Sequence, residues 1–410
     1  MHILCISLTE KQNQGARAIQ FAKVVSALHK QGATITVITR QNDKLADLKS
    51  PGTRIIYADP GRNTDSKNKS GSLFSRIAGK MFPTRENSTR LAVAKAMEVV
   101  ERERPDCIFS SSNPVASHFA GLEVARKTGL PWLASFSDPK PSTMLPPPYG
   151  SRLKRLIPKT YTYGLRKVLH HCDAVHMPTS LCIEATEKYY HISLSEKSVV
   201  IPPIGETAYL VKRQAGNGYL VHLGSITKRL SAAFLSAIAT FSKESPERMN
   251  EVLFVGKHQT KTASLMTKAG LGQISETKPQ VSHNHALDIV SEAGAVLILE
   301  ADMTYSHALP SKFAEAAFSG TPILAVTPAK SAVREYLNTY GGGVAATHSA
   351  EDIIRALREV FNSTPEDLNK MQNEQKALAE NFSFDEVGKN YMDAFKRIIA
   401  QKNCTQTTSG

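Results

Sequence analysis

A chain of 410 residues is longer than one hydrophobic core supports, so two domains are expected. With 41% hydrophobic and 21% charged residues it has the make-up of a globular protein, which excludes disordered and fibrous classes. The formal net charge of +13 arises entirely in one half: residues 1–200 carry 29 Lys and Arg against 16 Asp and Glu, whereas residues 201–410 carry 21 against 21.

An excess confined to one domain points to an anionic partner for that domain, such as an anionic membrane surface or a phosphorylated substrate. Nucleic acid would also account for the charge, but the basic stretches lack interleaved stacking residues, so no nucleic-acid partner is expected. Much of the excess lies in Lys67–Arg90 and Arg152–Lys167. The first mixes cations with Leu73, Phe74, Ile77, Met81 and Phe82, a pattern shared by interfacial amphipathic segments and by solvated loops entering a helix. Cys5, Cys107, Cys172, Cys182 and Cys404 are scattered, without metal-ligand spacing, and read as free thiols of a reducing compartment. The opening MHILCISL lacks a signal peptide's basic region and long apolar run, and no 18-residue apolar run follows. The expectation is a cytoplasmic protein whose membrane contact is peripheral, at the inner face of the plasma membrane.

In chain order, HILCISL (2–8) reads as a strand, ARAIQFAKVVSALHK as a helix closed by Gly32, and ATITVITR as a second strand. RIIYAD (54–59) is a strand, NSTRLAVAKAMEVVERER a helix stopped by Pro105, and DCIFSSS a strand. A helix follows, with Asn113 at its N-cap, Pro114 at its first position and Gly129 at its C-cap, then the strands PWLASFSD and CDAVHMPT. After VVIPPIGE (199–206) the rhythm restarts with strands GYLVHLGS, EVLFVG, a short QVS and AVLILE, then the helix LPSKFAEAAFSG, the strand TPILAV and the last helices. Alternation of this kind implies parallel sheets covered on both faces. The expected division is residues 1–205, together with a helix at about 384–402, as one domain and 206–383 as the other, with a linker near 203–216 and a tail at 403–410.

Ligands of open parallel sheets bind beyond the carboxyl ends of the strands, where helix N-termini favour phosphate. The most pointed loop there is SHALPSKFAEAAFSG (306–320), in which Pro310 and Ser311 open a helix, Lys312 adds a cation and Glu315 lies one turn on. With SGTPILAV (319–326) behind it, this segment resembles the donor motif of the GT-B glycosyltransferases, and within them the retaining group called family 4. That motif has two glutamates separated by seven residues, then a small residue, Gly, Pro and an apolar strand. The resemblance covers nearly the whole chain: the opening unit, CDAVHMPT…VVIPP, HNHALDIVSEAGAVLIL and the final FSFDEVGKNYMDAFKRI.

The resemblance implies an α/β fold of two Rossmann-like domains with parallel sheets facing across a cleft, the C-terminal helix crossing back to the first domain. It implies transfer of a sugar from a nucleotide-sugar donor to a lipid-linked or polysaccharide acceptor, with retention, as in bacterial surface-glycan synthesis. Glu315 is then assigned to the donor ribose and the loop of Leu309, Pro310, Ser311 and Lys312, through the N–H groups it has, to the diphosphate, with Gly224 and the cations Lys228 and Arg229 beside it. Proline contributes no N–H and only shapes that loop. The family's arginine after the glycine is Ser225 here, and the first glutamate is His307, which can donate a hydrogen bond to sugar or phosphate. Gly15 fits the glycine loop of the first domain, whose backbone approaches the donor phosphates closely in that family. The fifth strand ends in SFSDPKPS, which keeps Asp138-Pro139 of an Arg-Asp-Pro-Trp motif found in members acting on lipid-linked acceptors. Asp138 is thus the first candidate to orient or deprotonate the acceptor, and His118, early in a helix after a strand, the second. No Asp-X-Asp motif occurs in a strand-end loop, so neither metal nor cofactor is expected. The alternatives are a nucleotide-sugar epimerase on the same fold, or a non-catalytic glycan- or partner-binding descendant, for which His307 and Ser225 speak.

Overall fold

The computed structural model describes residues 1–9, 16–40, 52–58, 87–150, 159–206, 217–226 and 228–407. Gly15, residues 67–86 of the first basic stretch, residues 152–158 of the second and most of the expected linker lie outside them. The chain divides into two compact units: Met1–Leu145, Tyr149–Pro202 and Phe384–Gly410 form the first, Pro203–Ser383 with Pro146–Pro148 the second.

The first unit is built on a seven-stranded parallel sheet of β1 (His2–Ser7), β2 (Thr34–Thr39), β3 (Thr53–Tyr57), β4 (Cys107–Ser111), β5 (Trp132–Ser135), β6 (Ala174–Met177) and β7 (Ser198–Val200), in the order β3-β2-β1-β4-β5-β6-β7. Its central strands are buried along their length, because helices cover both faces of a parallel sheet. Cys5, Cys107, Cys172 and Cys182 belong to this interior as small apolar groups. Burial pushes their thiols up, to about 12 at Cys172 and Cys182, so they stay protonated. Cys404 is exposed.

The helix after β4 corrects the sequence expectation at one end and meets it at the other. It runs Ala116–Thr128 with Val115 at the N-cap rather than Asn113, since the first amides to turn back, those of Ser117 and His118, bond to the carbonyls of Pro114 and Val115. Gly129 does close it, at φ 71°, its N–H bonded to Ala125.

The long helix Phe384–Thr407 returns to this first unit, as expected of the C-terminal segment. Its Tyr391 and Phe395 rings meet Phe109 of β4 edge-on at 5.7 and 5.8 Å, and Lys30 and Asp173 pair with its Asp385 and Lys402. Tyr391 also lies 3.1 Å from Nδ1 of His176, whose Nε2–H donates to the Ile201 carbonyl. Burial holds this imidazole neutral, its pKa pushed down to about 4.

The second unit repeats the plan with β8 (Asn217–Leu223), β9 (Glu251–Val255), β10 (Ser275–Lys278), β11 (Ala293–Leu299), β13 (Ile323–Val326) and β15 (Gly343–Ala346), all parallel, in the order β10-β9-β8-β11-β13-β15. A separate ribbon pairs β12 (Tyr305–Ser306) with β14 (Lys330–Ser331). The short strand expected at QVS falls instead on SETK; as the sheet's edge, β10 is half exposed and carries no apolar run to reveal it. No helix among the described residues is long and apolar enough to cross a membrane.

Phe395 is fully buried. Its replacement by Ala is expected to cost about 3–5 kcal/mol in the first unit, measured by urea unfolding, because the cavity opens against Phe109.

Candidate functional site

In the second unit the chemistry gathers where β8, β11 and β13 end. Beyond β8 the chain turns at Gly224, whose φ of 115° suits a residue without a side chain. A Cβ built there would stand 3.5 Å from Cε of Lys312, so the lysine stem passes directly over the glycine backbone. Two residues earlier, His222 donates from Nδ1 to the Leu297 carbonyl at 3.0 Å. That bond fixes the tautomer and leaves Nε2 a lone-pair acceptor. Burial, then the charges of Arg229 and Lys312, push this imidazole down to about 3. The neutral ring therefore sits beside two of the cations that the sequence placed at the donor site.

Arg229 is fixed from the other side, with Nη1 donating to the Leu299 carbonyl at 3.2 Å. Its neighbour Glu300 is a buried carboxylate that accepts 2.5 Å hydrogen bonds from the hydroxyls of Ser306 and Ser331. Burial raises its pKa, opposed by those hydroxyls and by the charges of Arg229 and Arg334. Glu300 thereby ties the end of β11 to both strands of the β12–β14 ribbon, and the loop to the next helix departs from that ribbon at His307.

His307 is buried, at 3% exposure, which rules out a solvated loop histidine. Leu309 is anchored in the core with Phe313, and Pro310 caps the six-residue helix Ser311–Ala316. The first amide to bond back is that of Phe313, to Pro310, so those of Ser311 and Lys312 precede the helical ladder. Phe313, Ala314, Ala316 and Ala317 face the core, which leaves Ser311, Lys312 and Glu315 together on the half-exposed face. Lys228 and Ser225 are exposed on the loop after Gly224. Thus Gly224, Arg229 and Lys312 meet at one strand end, with Glu315 a turn away along the helix.

The helix is held from behind by Gly205, whose N–H donates to the Phe382 carbonyl. A Cβ on Gly205 would lie 2.1 Å from the carbonyl oxygen of Ala314. Sequence reasoning missed this glycine, as well as His222, Glu300 and Arg334; a lone Glu closing the apolar strand AVLIL was the available signal for Glu300.

In the first unit, Asp138 and His118 both lie past the carboxyl ends of central strands. Asp138 forms an ion pair with Arg17, in the first helix, and stands 3.8 Å from Nζ of Lys140. His118 is fully buried in the first turn of its helix, its ring 4.1 Å from that of Phe136 and its Nδ1 2.8 Å from Ser110 Oγ. Burial, and then Lys140, push its pKa down to about 3. Arg17 and Lys140 escaped the sequence reading, since nothing in the pattern joins positions 17 and 138.

Two substitutions probe the second unit. Gly205→Ala is expected to destabilise it by at least about 3 kcal/mol, read in thermal unfolding, because neither the methyl nor the Ala314 carbonyl can yield. His222 has a folded pKa below its unfolded one, so its contribution is complete above about pH 6.5 and lost as pH falls. Between pH 7 and pH 5 that loss is about 2 kcal/mol, and His222→Asn, which keeps the bond to Leu297, should flatten the slope of urea stability against pH by that amount.

No family model and no curated protein matches the sequence. Among solved structures, the chain is similar to a sucrose-phosphate synthase from Thermosynechococcus elongatus, with a TM-score of 0.70 and 14% identity over 98% of this chain and 99% of that one. It is also similar to WaaG, a glycosyltransferase involved in lipopolysaccharide biosynthesis, at TM-score 0.61 and 14% identity over 96% and 99% of the two chains. A putative UDP-N-acetylglucosamine 2-epimerase from Listeria monocytogenes follows, at 0.57 and 13% over 98% and 97%. With its two parallel sheets and returning C-terminal helix, the chain has the GT-B fold.

Proposed function

We propose that the chain is a glycosyltransferase that binds a nucleotide sugar through its second unit and passes the sugar to a saccharide acceptor bound by the first. One observation carries the reading: Lys312 and Arg229 converge on the end of β8, where Gly224 leaves the backbone bare. Two fixed cations and open amides at a strand end suit a diphosphate, whose developing charge on departure they stabilise. Leu309, Pro310, Ser311 and Lys312 form the diphosphate loop, Lys228 adds an exposed cation, and Glu315 takes the ribose hydroxyls. His307 offers its ring to the sugar or to a phosphate oxygen.

In the first unit Asp138, already engaged by two cations, orients the acceptor, and His118 offers a neutral N–H. Retention, the absence of a metal, a lipid-linked or polymeric acceptor of a bacterial surface glycan, and peripheral docking of the basic first unit on a cytoplasmic membrane face belong to the same proposal. The full-length fold similarity to proteins named as a glycosyltransferase and a sucrose-phosphate synthase supports it. Similarity to a putative 2-epimerase supports a second reading, in which the nucleotide sugar is itself the product.

Titration calorimetry with UDP, GDP and ADP is expected to find one that binds, with affinity falling about 10- to 100-fold in Lys312→Ala and in Glu315→Ala. Incubation with the matching nucleotide sugars and EDTA separates the readings: transfer to an acceptor or hydrolysis supports the transferase, interconversion of the sugar without acceptor the epimerase. Binding with neither leaves a non-catalytic descendant, and binding unaffected by both substitutions removes the proposed site.

A further inference from the structure

The first unit carries a second cationic cluster. Three neighbouring strands, β1, β4 and β5, deliver it: Arg17 opens the helix after β1, His118 the helix after β4, and Lys140 follows β5 with Asp138. Two cations share one carboxylate, so the cluster carries a net positive charge.

Lys140 is the unusual member. Its side chain is only 12% exposed, and burial lowers its affinity for a proton although Asp138 opposes this. Its Nζ lies 3.8 Å from Asp138, an ion pair too long for a good hydrogen bond. The backbone is held in place, because the Tyr190 hydroxyl donates to the Lys140 carbonyl at 2.9 Å. A desolvated ammonium fixed in this way is costly unless something further compensates it.

His118 supplies the independent observation. Trp132 Nε1–H donates to Ser110 Oγ at 2.8 Å, so the serine hydroxyl is free to donate its own proton to His118 Nδ1. Nε2 of the neutral ring then carries the hydrogen, and among the described residues this buried N–H has no partner. Leaving such a donor unmade is costly, and a ligand acceptor would recover that cost. The hydroxyl of Ser137, beside Asp138, is buried and unpartnered among the described residues as well. The groups left with bonds to make are therefore an ammonium, an imidazole N–H and a hydroxyl, with the guanidinium beside them. Such a set is rich in donors and positively charged. It suits an acceptor-rich anion, and a neutral sugar hydroxyl would not offset the lysine.

We propose that Arg17, Lys140 and His118 form an oxyanion subsite that seats a phosphoryl group of the acceptor substrate. This rests on the transferase reading for the word acceptor; the phosphoryl site itself does not. The group can come from a soluble sugar phosphate or from a lipid-linked sugar diphosphate, and both present the same oxygens.

Calorimetry on the full-length protein tests it with glucose, glucose 6-phosphate and a water-soluble short-chain isoprenyl diphosphate. At least one phosphorylated probe is expected to bind about tenfold or more tightly than glucose, and to lose about tenfold in Lys140→Met. Arg17→Met, at a half-exposed position that leaves the interior intact, should weaken the same probe. Preference for glucose 6-phosphate identifies a soluble source and preference for the isoprenyl compound a lipid one; either supports the subsite. Binding of the nucleoside diphosphate, measured in parallel, should be unchanged in both variants. If neither phosphorylated probe outbinds glucose, or if both variants bind them like the parent, the subsite is overturned while the nucleotide result stands on its own.

Discussion

A carboxylate sealed at the end of β11 sets the geometry of the second unit. Glu300 is buried, so its oxygens depend on two serine hydroxyls and on the nearby charges of Arg229 and Arg334. Each partner lies on a different segment: Ser306 leads into His307, Ser331 opens the helix Ala332–Tyr340, and Arg229 closes the turn after Gly224. The loop that bears Lys312 is consequently registered against the loop that bears Arg229 through this buried acid. Satisfying one buried charge places the others, and the strand ends acquire a common geometry.

The same economy explains why His222 stays neutral. An imidazolium here would be repelled by both Arg229 and Lys312, whereas the neutral ring, pinned to Leu297, adds no charge beside them. The positive charge at this strand end therefore comes from Arg229 and Lys312 and not from the imidazole. In the first unit Asp138 has the opposite role, drawing Arg17 and Lys140 together.

How much of this was legible follows from how far apart the partners lie in sequence. Strands buried on both faces, such as ILCI, LFV and VLIL, announce themselves by composition, and Gly129 closes a helix by a local rule. The loop and helix start at 309–315 were legible as well, since Pro310, Ser311, Lys312 and Glu315 are contiguous. Edge strand β10 was not, because SETK lies half in solvent and needs no apolar side chains. Nor was the helix start at Val115, where Asn-Pro looks like a cap but the amides turn back two residues later. The ion pair between positions 17 and 138, and the glycine at 205 packed on Ala314, join residues more than a hundred apart. Only tertiary structure chooses such partners.

The return of the last long helix to the first unit has a consequence for biosynthesis. A ribosome finishes every strand of the second unit before it makes Tyr391 and Phe395, so the β4 surface around Phe109 waits uncovered while the later-coded sheet assembles. The order of completion is thus the reverse of the order of translation: the unit begun first is the last whose apolar surface can be closed.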